Sequence, residues 1–503
     1  LISRVLGYAR DMLVADLFGA KTAADAFFVA FRIPNLLRRL TAEGAMTAAF
    51  VPVYTEVYEK SGKPRAFELA CNIVTLLGVA LTVISVAGVI TAPWVVTALA
   101  PGFTSSEPTF NLTTLLTRIM FPYLIFVSLA AVLMAMQNSM GKFFVPAAAP
   151  SMLNIAIITC ALTMRDWFAE PTVALAVGVM IGGVLQLAMQ VWELRRMGWK
   201  YVPSFNLRDA DAIRIGALMV PATFGMAVAE INTFVDTLIA SFLPEGSVSY
   251  LYYGNRLVQF PLGVFGVAVG VAALPSLSSE AARGGEKLVE LFSHSMRLTL
   301  FIAIPAMVGL IALSGPMTNV LFERGQFDEA ARYGVISALV FYAVGLPAFA
   351  ATKIVVGVFY ALKDTKAPTK VAVWCMLINI ALNLVLMGPL KHGGLALATS
   401  ISAFVNVGAL AWMLRKRLGK IDGRRMAMAA GLMSLSSLIM GASAYGYLSI
   451  FYSYEARTME RAFHLIVAMG IGTILYFGSM LALGSPEALS FKRRVMEKIR
   501  KGR

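Results

Sequence analysis

Ionisable side chains inside long apolar stretches are the residues of this chain that are best placed to do chemistry. The basic ones are Arg4, Arg10, Arg32, Arg38, Arg39, Arg118, Arg256, Arg297 and Lys353. An ionisable group at the centre of a bilayer costs about 2.5–3.5 kcal/mol on insertion scales. We therefore expect most of these side chains to line a water-filled cavity or to pair with acids. Arg39 and Arg297 also fit positions near an interface, from which a long side chain reaches water.

The arginines concentrate in three of the predicted helices, together with a smaller number of acids. A guanidinium group suits bidentate contact with phosphate, so several arginines converging from different helices suit a pyrophosphate better than a monocarboxylate or a hydrophobic cation. These helices hold Arg4, Arg10, Arg32, Arg38 and Arg256 against Asp11, Asp25 and Glu43. Together with Arg39, these residues are candidates for the wall or gate of a cationic cavity. A local ion pair between Arg10 and Asp11 is the alternative.

A second polar cluster is predicted from amide and hydroxyl side chains further along the chain. Asn379 and Asn383 are four residues apart and share a helix face, and Asp236 and Thr399 are candidates to join them. These oxygens are the hard ligands that Na⁺ takes. Hydrogen bonding between helices is the alternative explanation.

Composition indicates what kind of protein must position these groups. Of 503 residues, 58% are hydrophobic and 14% are charged, and the mean hydropathy is +0.74. These values exclude an ordinary soluble enzyme and a disordered chain, and they indicate an all-α polytopic membrane protein. Cys71, Cys160 and Cys375 are far apart and no phosphate-binding loop is present, which excludes a disulfide framework and ATP hydrolysis by this chain. Because the chain begins at Leu1, we expect natural residues to precede it.

Apolar windows predict fourteen transmembrane helices. They cover residues 1–19, 24–57, 66–100, 109–138, 145–164, 172–194, 211–243, 248–278, 288–313, 329–361, 367–387, 393–414, 426–449 and 460–484. Most of the 43 Lys and Arg residues lie in alternate loops and in the C-terminal tail. By the positive-inside rule both termini are expected in the cytoplasm. The net charge of +15 is then a topology signal, and no nucleic-acid partner is expected.

The chain also repeats itself at a spacing of roughly 220 residues. Leu153-Asn154-Ile155-Ala156 is echoed by Ile378-Asn379-Ile380-Ala381, and Trp192-Glu193-Leu194-Arg195-Arg196 by Trp412-Met413-Leu414-Arg415-Lys416. The segment from Asp25 to Arg32 is echoed by the one from Ser249 to Arg256. Two six-helix lobes with the same orientation are typical of a transporter. The predicted divisions are an N-lobe (1–200), a C-lobe (201–420), and a last helix pair with a basic cytoplasmic tail (421–503).

Several segments resemble the MurJ (MviN) family. They are 3–11, with the letters SRVLGYARD, 25–39, with DAFFVAFRIPNLLRR, 42–45, 252–257 and 388–395. The resemblance extends over essentially the whole chain. It implies a lipid II flippase of peptidoglycan synthesis in the multidrug/oligosaccharidyl-lipid/polysaccharide exporter superfamily. It also implies fourteen helices in two six-helix lobes, with a terminal pair that forms a lipid-facing groove.

What the resemblance implies for single residues can be stated by position. The family's cavity arginines match Arg4, Arg10, Arg38 and Arg256, and its cavity acid matches Asp25. With this resemblance, we predict that Arg4, Arg10 and Arg256 form a pyrophosphate clamp and that Arg38 and Asp25 shape the cavity. The sodium site of some members maps onto Asp236, Asn379, Asn383, the backbone of Leu395, and Thr399. Asn383 stands where such members carry an acid, which lowers the negative charge available to a cation.

The resulting hypothesis is a transporter of the bacterial inner membrane and not an enzyme. It would move lipid II to the periplasmic leaflet by alternating access, in contact with the bilayer and with cell-wall synthesis enzymes. It needs no cofactor, and Na⁺ or the membrane potential would drive it. The alternatives are an ion-coupled exporter of drugs or other amphiphiles, and a membrane enzyme or scaffold acting on lipid-linked sugars. The arginine excess disfavours the exporter, and the lack of a clustered catalytic constellation disfavours the enzyme.

Overall fold

The computed structural model describes residues 2–39, 46–263, 267–283 and 287–501. Within these ranges every long regular element is an α-helix, as the sequence predicts, with short 3-10 helices at Pro101–Ser105 and Arg165–Trp167. The chain folds into two compact units. The first unit comprises Leu1–Ser249 with Gly325–Phe327, and the second comprises Tyr250–Arg324 with Asp328–Arg503.

The described residues of the first unit form nine helices and the first residues of a tenth. They are α1 (Ile2–Phe18), α2 (Thr22–Arg38), α3 (Thr47–Ile90), α4 (Ala92–Leu99), α5 (Glu107–Met120), α6 (Tyr123–Ser139), α7 (Phe144–Thr163), α8 (Val173–Arg196), α9 (Ala210–Ala240) and the start of α10 (Ser247–Pro261).

The second unit contains the rest of α10 and the helices that follow it. They are α11 (Val267–Ala282), α12 (Leu288–Ala312), α13 (Ser314–Leu321), α14 (Glu329–Val344), α15 (Leu346–Ala361), α16 (Lys366–Leu418), α17 (Gly423–Phe451), α18 (Thr458–Ala482) and α19 (Pro486–Lys501).

Nine helical segments among the described residues are long and apolar enough to cross a membrane. They are Ala49–Ile90, Glu107–Ser139, Phe144–Thr163, Val173–Arg196, Leu288–Ala312, Glu329–Ala361, Lys366–Leu418, Gly423–Phe451 and Thr458–Ala482. Helices α1 and α2 have 17 residues each, fewer than the roughly 20 that a straight span needs. The multi-pass class is therefore confirmed, and the count of fourteen stays a prediction.

Several helix boundaries differ from the predicted windows because of single backbone positions. Pro122 separates α5 from α6 and Pro347 lies in the first turn of α15, so one predicted window in each place becomes two helices. Conversely, α3 and α16 each run through a bend, at Gly62 (φ 80°) and Lys391 (φ 49°). Residues 486–501, which the sequence predicts to be a basic tail, form helix α19.

Helices α7 and α8 pack closely because α8 carries glycine where it crosses α7. A Cβ atom added at Gly178 would lie 2.7 Å from the Cα of Ile157, and one added at Gly182 would lie 2.8 Å from the Cα of Leu153. Small residues let helix backbones approach in this way. The amide of Asn154 on α7 donates to the Ser3 carbonyl at 3.1 Å, which ties α1 to the same bundle.

The division between the compact units falls after Ser249, and the lobe boundary near residue 200 stays a prediction. The segment before α9 is fixed to α3, because Arg65 donates to both carboxylate oxygens of Asp209 at 2.9 Å. Asp209 is also the N-cap of α9. Asn72 and the backbone of Asn206 exchange two further hydrogen bonds. These contacts place α9 with the first unit.

Helix α12 is hydrogen-bonded to α19 and to the turn before α17. Arg297 on α12 donates to the Glu487 carboxylate of α19 at 2.7 Å, and both residues are buried. Ser293, one turn earlier, donates to Asp422 in the turn before α17 at 2.8 Å. The expectation that Arg297 reaches water at an interface is therefore wrong, since its guanidinium is neutralised inside the protein.

Candidate functional site

Helix α1 presents two of the predicted clamp arginines in different environments. Arg10 is 9% exposed and its neighbour Asp11 is 1% exposed. The Nε and Nη2 atoms of Arg10 donate to Asp11 Oδ1 at 3.0 and 2.6 Å. The local ion pair that the sequence leaves open is therefore present. Arg4, six residues earlier on the same helix, is exposed.

The arginines of α2 have contacts within the first unit. Arg32 is half-buried and donates to the hydroxyl of Thr237 on α9. Arg38 is half-buried and its Nε donates to Asn35 at 3.2 Å. Arg39 is exposed and pairs with Glu230 on α9 at 3.3 Å, in agreement with an arginine whose head remains accessible. Glu43, the remaining gating candidate on this stretch, lies outside the described residues.

Asp25, which belongs to α2, is buried against the beginning of α10 and acts as a cap for that helix. Its Oδ2 accepts from the Gly246 N–H at 2.8 Å, and its Oδ1 accepts from the Ser249 N–H at 2.8 Å and from the Ser249 hydroxyl. The first N–H groups of a helix lack partners within the helix and carry partial positive charge. The carboxylate thus stabilises the start of α10 through these donors.

Glu245 provides the reciprocal cap for α2. Its Oε1 accepts from the Thr22 N–H at 2.7 Å and from the Thr22 hydroxyl. These hydrogen bonds lower the pKa of the Glu245 carboxyl below its ordinary value of 4.5. Each of the two helix starts is therefore capped by a carboxylate from the other segment. The internal repeat aligns Asp25 with Ser249, but it gives no indication that these two residues touch.

The third clamp arginine, Arg256, lies on α10 in the second unit and is half-buried. The residues around it on the same helix, Tyr253 and Leu257, are buried. Arg256 therefore lies on the helix whose start is capped by Asp25.

The predicted polar cluster of α16 assembles across the bend at Lys391. Asn383 donates to the Asn379 side-chain oxygen at 3.1 Å, and the Asn379 amide donates to the Thr399 hydroxyl at 3.4 Å. Thr399 in turn donates to the Leu395 carbonyl at 2.9 Å. Four of the five predicted sodium ligands therefore form one hydrogen-bonded group.

Asp236, the fifth predicted ligand, lies on α9 in the first unit, where it accepts from Asn232 at 3.5 Å. Within the described residues no group of three or more His, Cys, Asp or Glu side chains is arranged to hold a metal. The α16 oxygens fit Na⁺ by type, but they are neutral, and those of Asn379, Thr399 and Leu395 accept hydrogen bonds within the group. The hydrogen-bonding alternative accounts for the contacts seen.

One network of charged and aromatic side chains is not predicted from the sequence. Arg332 on α14 bonds to Glu323 at 2.8 Å and to Glu329 at 2.6 Å. Its guanidinium also lies 4.3 Å from the ring centroid of Tyr454, in the turn between α17 and α18. The local signal available in the sequence is the spacing of three residues between Glu329 and Arg332.

An open hollow of about 390 Å³ lies on the second unit at the start of α16. It is lined by Thr365, Lys366, Thr369, Lys370, Val373 and Trp374. None of these is a predicted site residue, so this hollow is separate from the arginines and from the α16 amide cluster.

Comparisons with known proteins agree on one family. The family described as "Lipid II flippase MurJ" matches residues 14–463. A protein named "Probable lipid II flippase MurJ" from Vibrio cholerae is 37% identical over 96% of this chain and 94% of its own length. "Lipid II flippase MurJ" from Burkholderia cenocepacia is 36% identical over 98% of this chain and 97% of its own length.

Solved structures agree at the level of the fold. One described as "Lipid II flippase MurJ, inward closed conformation" superposes with a TM-score of 0.79 at 28% identity, covering 95% of this chain and 98% of that one. A multidrug resistance MATE family transporter of the MOP superfamily in an inward-facing conformation has a TM-score of 0.67 at 15% identity. It covers 84% of this chain and 96% of that one. The second likeness concerns the fold alone.

Proposed function

This chain belongs to the MurJ family of lipid II flippases, and from that premise we propose that guanidinium groups on α1, α2 and α10 carry the pyrophosphate of lipid II through the membrane. The protein is a multi-pass membrane transporter and not an enzyme. Its substrate is lipid II, and its task belongs to peptidoglycan synthesis. Family membership favours this substrate over drug export, the alternative that the sequence leaves open.

The buried pair of Arg10 and Asp11 is the observation that carries this proposal. A buried ion pair adds little net stability compared with apolar side chains of similar volume, so the fold by itself gives little reason for one in α1. A guanidinium donates to carboxylate and to phosphate oxygens with the same geometry. Asp11 therefore holds Arg10 in the orientation that a phosphate would use, and the pyrophosphate exchanges with or joins that carboxylate.

The other charged residues act around this centre. Arg4 and Arg256 complete the clamp, and Arg38 contributes to the wall of the cavity. Asp25 acts by fixing the start of α10, the helix that carries Arg256. The sugar-peptide headgroup crosses about 30 Å of hydrocarbon while the prenyl tail stays in lipid, and the cavity opens alternately to the two leaflets. Because the cavity is cationic, a membrane potential biases its opening by about 2.3 kcal/mol per charge per 100 mV.

The experiment compares lipid II translocation by Arg10→Ala, Arg10→Lys and Arg118→Ala in reconstituted vesicles, with the amount of inserted protein measured for each. Arg118 is exposed on α5 and serves as a matched control. We expect no translocation with Arg10→Ala, partial activity with the lysine variant, which keeps charge without the planar fork, and wild-type activity with Arg118→Ala. Wild-type translocation by Arg10→Ala would exclude the clamp.

The finer architecture is also proposed. It consists of fourteen spans in two six-helix lobes with a terminal pair, and it places both termini in the cytoplasm. The excess of Lys and Arg in alternate loops supports this orientation. Single cysteines at the exposed positions Lys420 and Glu455 test it with an impermeant maleimide applied to whole cells. Only the cysteine at 455 is expected to react, and reaction at 420 would reverse the topology.

The membrane potential is the driving force that we propose. No transport step is assigned to Na⁺, because the Asn379, Asn383 and Thr399 groups are neutral and already bonded to one another. Contact with cell-wall synthesis enzymes is a further proposal, which co-purification of the full chain with such enzymes would test.

A further inference from the structure

The two halves of the internal repeat end in the same arrangement of a tryptophan and a base. Trp192 is followed four residues later by Arg196 at the end of α8, and Trp412 is followed four residues later by Lys416 in the last turns of α16. We refer to these as the α8 pair and the α16 pair. The transport mechanism uses neither of them.

Both pairs place the cation over the indole ring, and each pair lies in its own unit. The guanidinium carbon of Arg196 lies 4.6 Å from the ring centroid of Trp192, and the Lys416 Nζ lies 3.7 Å from that of Trp412. Trp192 is 55% exposed and Trp412 is 59% exposed. The leucines two residues after each tryptophan are fully buried. One helix face therefore packs inward while the ring and its cation face outward together.

Helix electrostatics explains only part of this arrangement. Basic residues near a helix C-terminus are stabilised by the helix dipole, and that accounts for bases at the ends of α8 and α16. It does not account for a large exposed indole stacked beneath each cation. In membrane proteins tryptophan is enriched at the level of the lipid headgroups, and a cation held over a ring at that level lies at the depth of the lipid phosphates.

We propose that each pair binds the headgroup of an anionic glycerophospholipid, with the ring packed against the glycerol region and the cation on the phosphate. The bases next to the pairs, Arg195 and Arg415, are exposed and add positive charge. Arg417 is engaged by Asp364 at 2.9 Å and is not part of the site. Glu193 lies beside Trp192, whereas Met413 occupies the matching position beside Trp412. The α16 pair is therefore the stronger site.

The test uses the fluorescence of the full chain in lipid nanodiscs. Brominated phosphatidylglycerol and brominated phosphatidylcholine are compared as quenchers at equal mole fraction, and the signals of Trp192 and Trp412 are isolated by Trp→Phe variants. The attraction between one Lys or Arg side chain and an anionic membrane surface corresponds to about a fivefold enrichment of anionic lipid around that side chain. We expect the brominated phosphatidylglycerol to quench these two rings more strongly, Trp412 most, by up to about that factor. Raising the salt to about 1 M, where the Debye length falls to about 3 Å, should remove the difference.

Variants separate this proposal from a general attraction of tryptophan to lipid. Arg196→Gln with Lys416→Gln is expected to equalise the two quenchers, whereas Arg424→Gln, at an exposed base beginning α17, should leave the difference intact. Trp94 is exposed and its flanking sequence from 66 to 117 contains no Lys or Arg, so its ring should be quenched equally by both lipids. Equal quenching of Trp412 by both lipids in the wild type, or an unchanged difference in the double variant, would overturn the proposal. Neither result depends on the arginine clamp.

Discussion

Asp25→Asn should loosen the start of α10 more than any other single substitution at this contact. The carboxylate is 3% exposed and accepts from two backbone N–H groups and one hydroxyl. An asparagine can keep its carbonyl on the Ser249 side, but its amide nitrogen then faces the Gly246 N–H, which is also a donor. One hydrogen bond is lost, the others become neutral, and the charge that complements the helix dipole is removed.

The size of the effect follows from those changes. Hydrogen bonds to a charged group contribute about 1.5–3 kcal/mol each and neutral ones about 0.5–1.5 kcal/mol. We therefore expect Asp25→Asn to weaken the contact by about 2–4 kcal/mol, which is about 30- to 1000-fold in its opening equilibrium at about 1.4 kcal/mol per factor of ten. Ser249→Ala removes one hydroxyl donor and keeps the Ser249 N–H bond, so its effect should be about 1 kcal/mol.

Hydrogen–deuterium exchange on the full chain measures this contact directly, because the Gly246 and Ser249 amides are themselves bonded to Asp25. Peptides covering 244–252 should exchange faster in the order wild type, Ser249→Ala, Asp25→Asn. Asp166→Asn, which changes a carboxylate that is 82% exposed, is the control and should have no effect. Unchanged protection of these amides in Asp25→Asn would refute the capping role. Lipid II translocation by that variant should also fall, since α10 carries Arg256.

Three further outcomes are expected. Glu487→Gln should leave the Arg297 charge buried without its partner and weaken the packing of α19 on α12 by about 3–5 kcal/mol. Limited proteolysis after residue 484 should then be faster. Replacing both residues with methionine should restore the resistance to proteolysis. The pKa of the Glu245 carboxyl is lowered in the folded protein. The hydrogen bond from the Thr22 N–H to Glu245 should therefore persist above pH 4.5 and be lost as the pH falls through the lowered pKa. Protection of the Thr22 amide from hydrogen exchange measures this loss. Gly178→Leu should lower the thermal unfolding temperature, because a Cβ there meets the backbone of α7 at 2.7 Å.

Matched controls exist for each of these outcomes. Glu497→Gln changes an exposed carboxylate on the same helix as Glu487 and should leave α19 as protected as in the wild type. Glu245→Gln should make the protection of the Thr22 amide, relative to its intrinsic exchange rate at each pH, independent of pH in this range. Gly216→Ala introduces a Cβ with nothing within 4 Å, so a loss of stability there equal to that of Gly178→Leu would contradict the packing argument.

Local patterns are sufficient for part of the site. Arg10 and Asp11 are adjacent, and the pair that the structure contains is one of the two arrangements that their positions predict. Asn379 and Asn383 are one helical turn apart, so their hydrogen bond also follows from helix geometry. Contacts of this kind depend on a few residues of regular backbone, which hydropathy predicts well.

Contacts between residues that lie far apart in the chain cannot be predicted from local sequence patterns. Asp25 and Ser249 are 224 residues apart, and Arg297 and Glu487 are 190 residues apart. Sequence reasoning places Asp25 in a cavity and Arg297 near water, because both are charges in apolar windows. The partner of a buried charge depends on how whole helices pack. The spacing of residues within one helix does not indicate that packing.

By itself the sequence determined the class of the protein, its helical membrane-spanning character and the set of arginines available to an anionic substrate, because each of these follows from apolar runs and the cost of charge within them. The tertiary structure alone decided which carboxylate caps which helix, which arginine is neutralised inside the protein, and where the helices bend. Those features come from contacts between segments far apart in the chain and from single backbone angles, such as the one at Lys391, that composition does not encode.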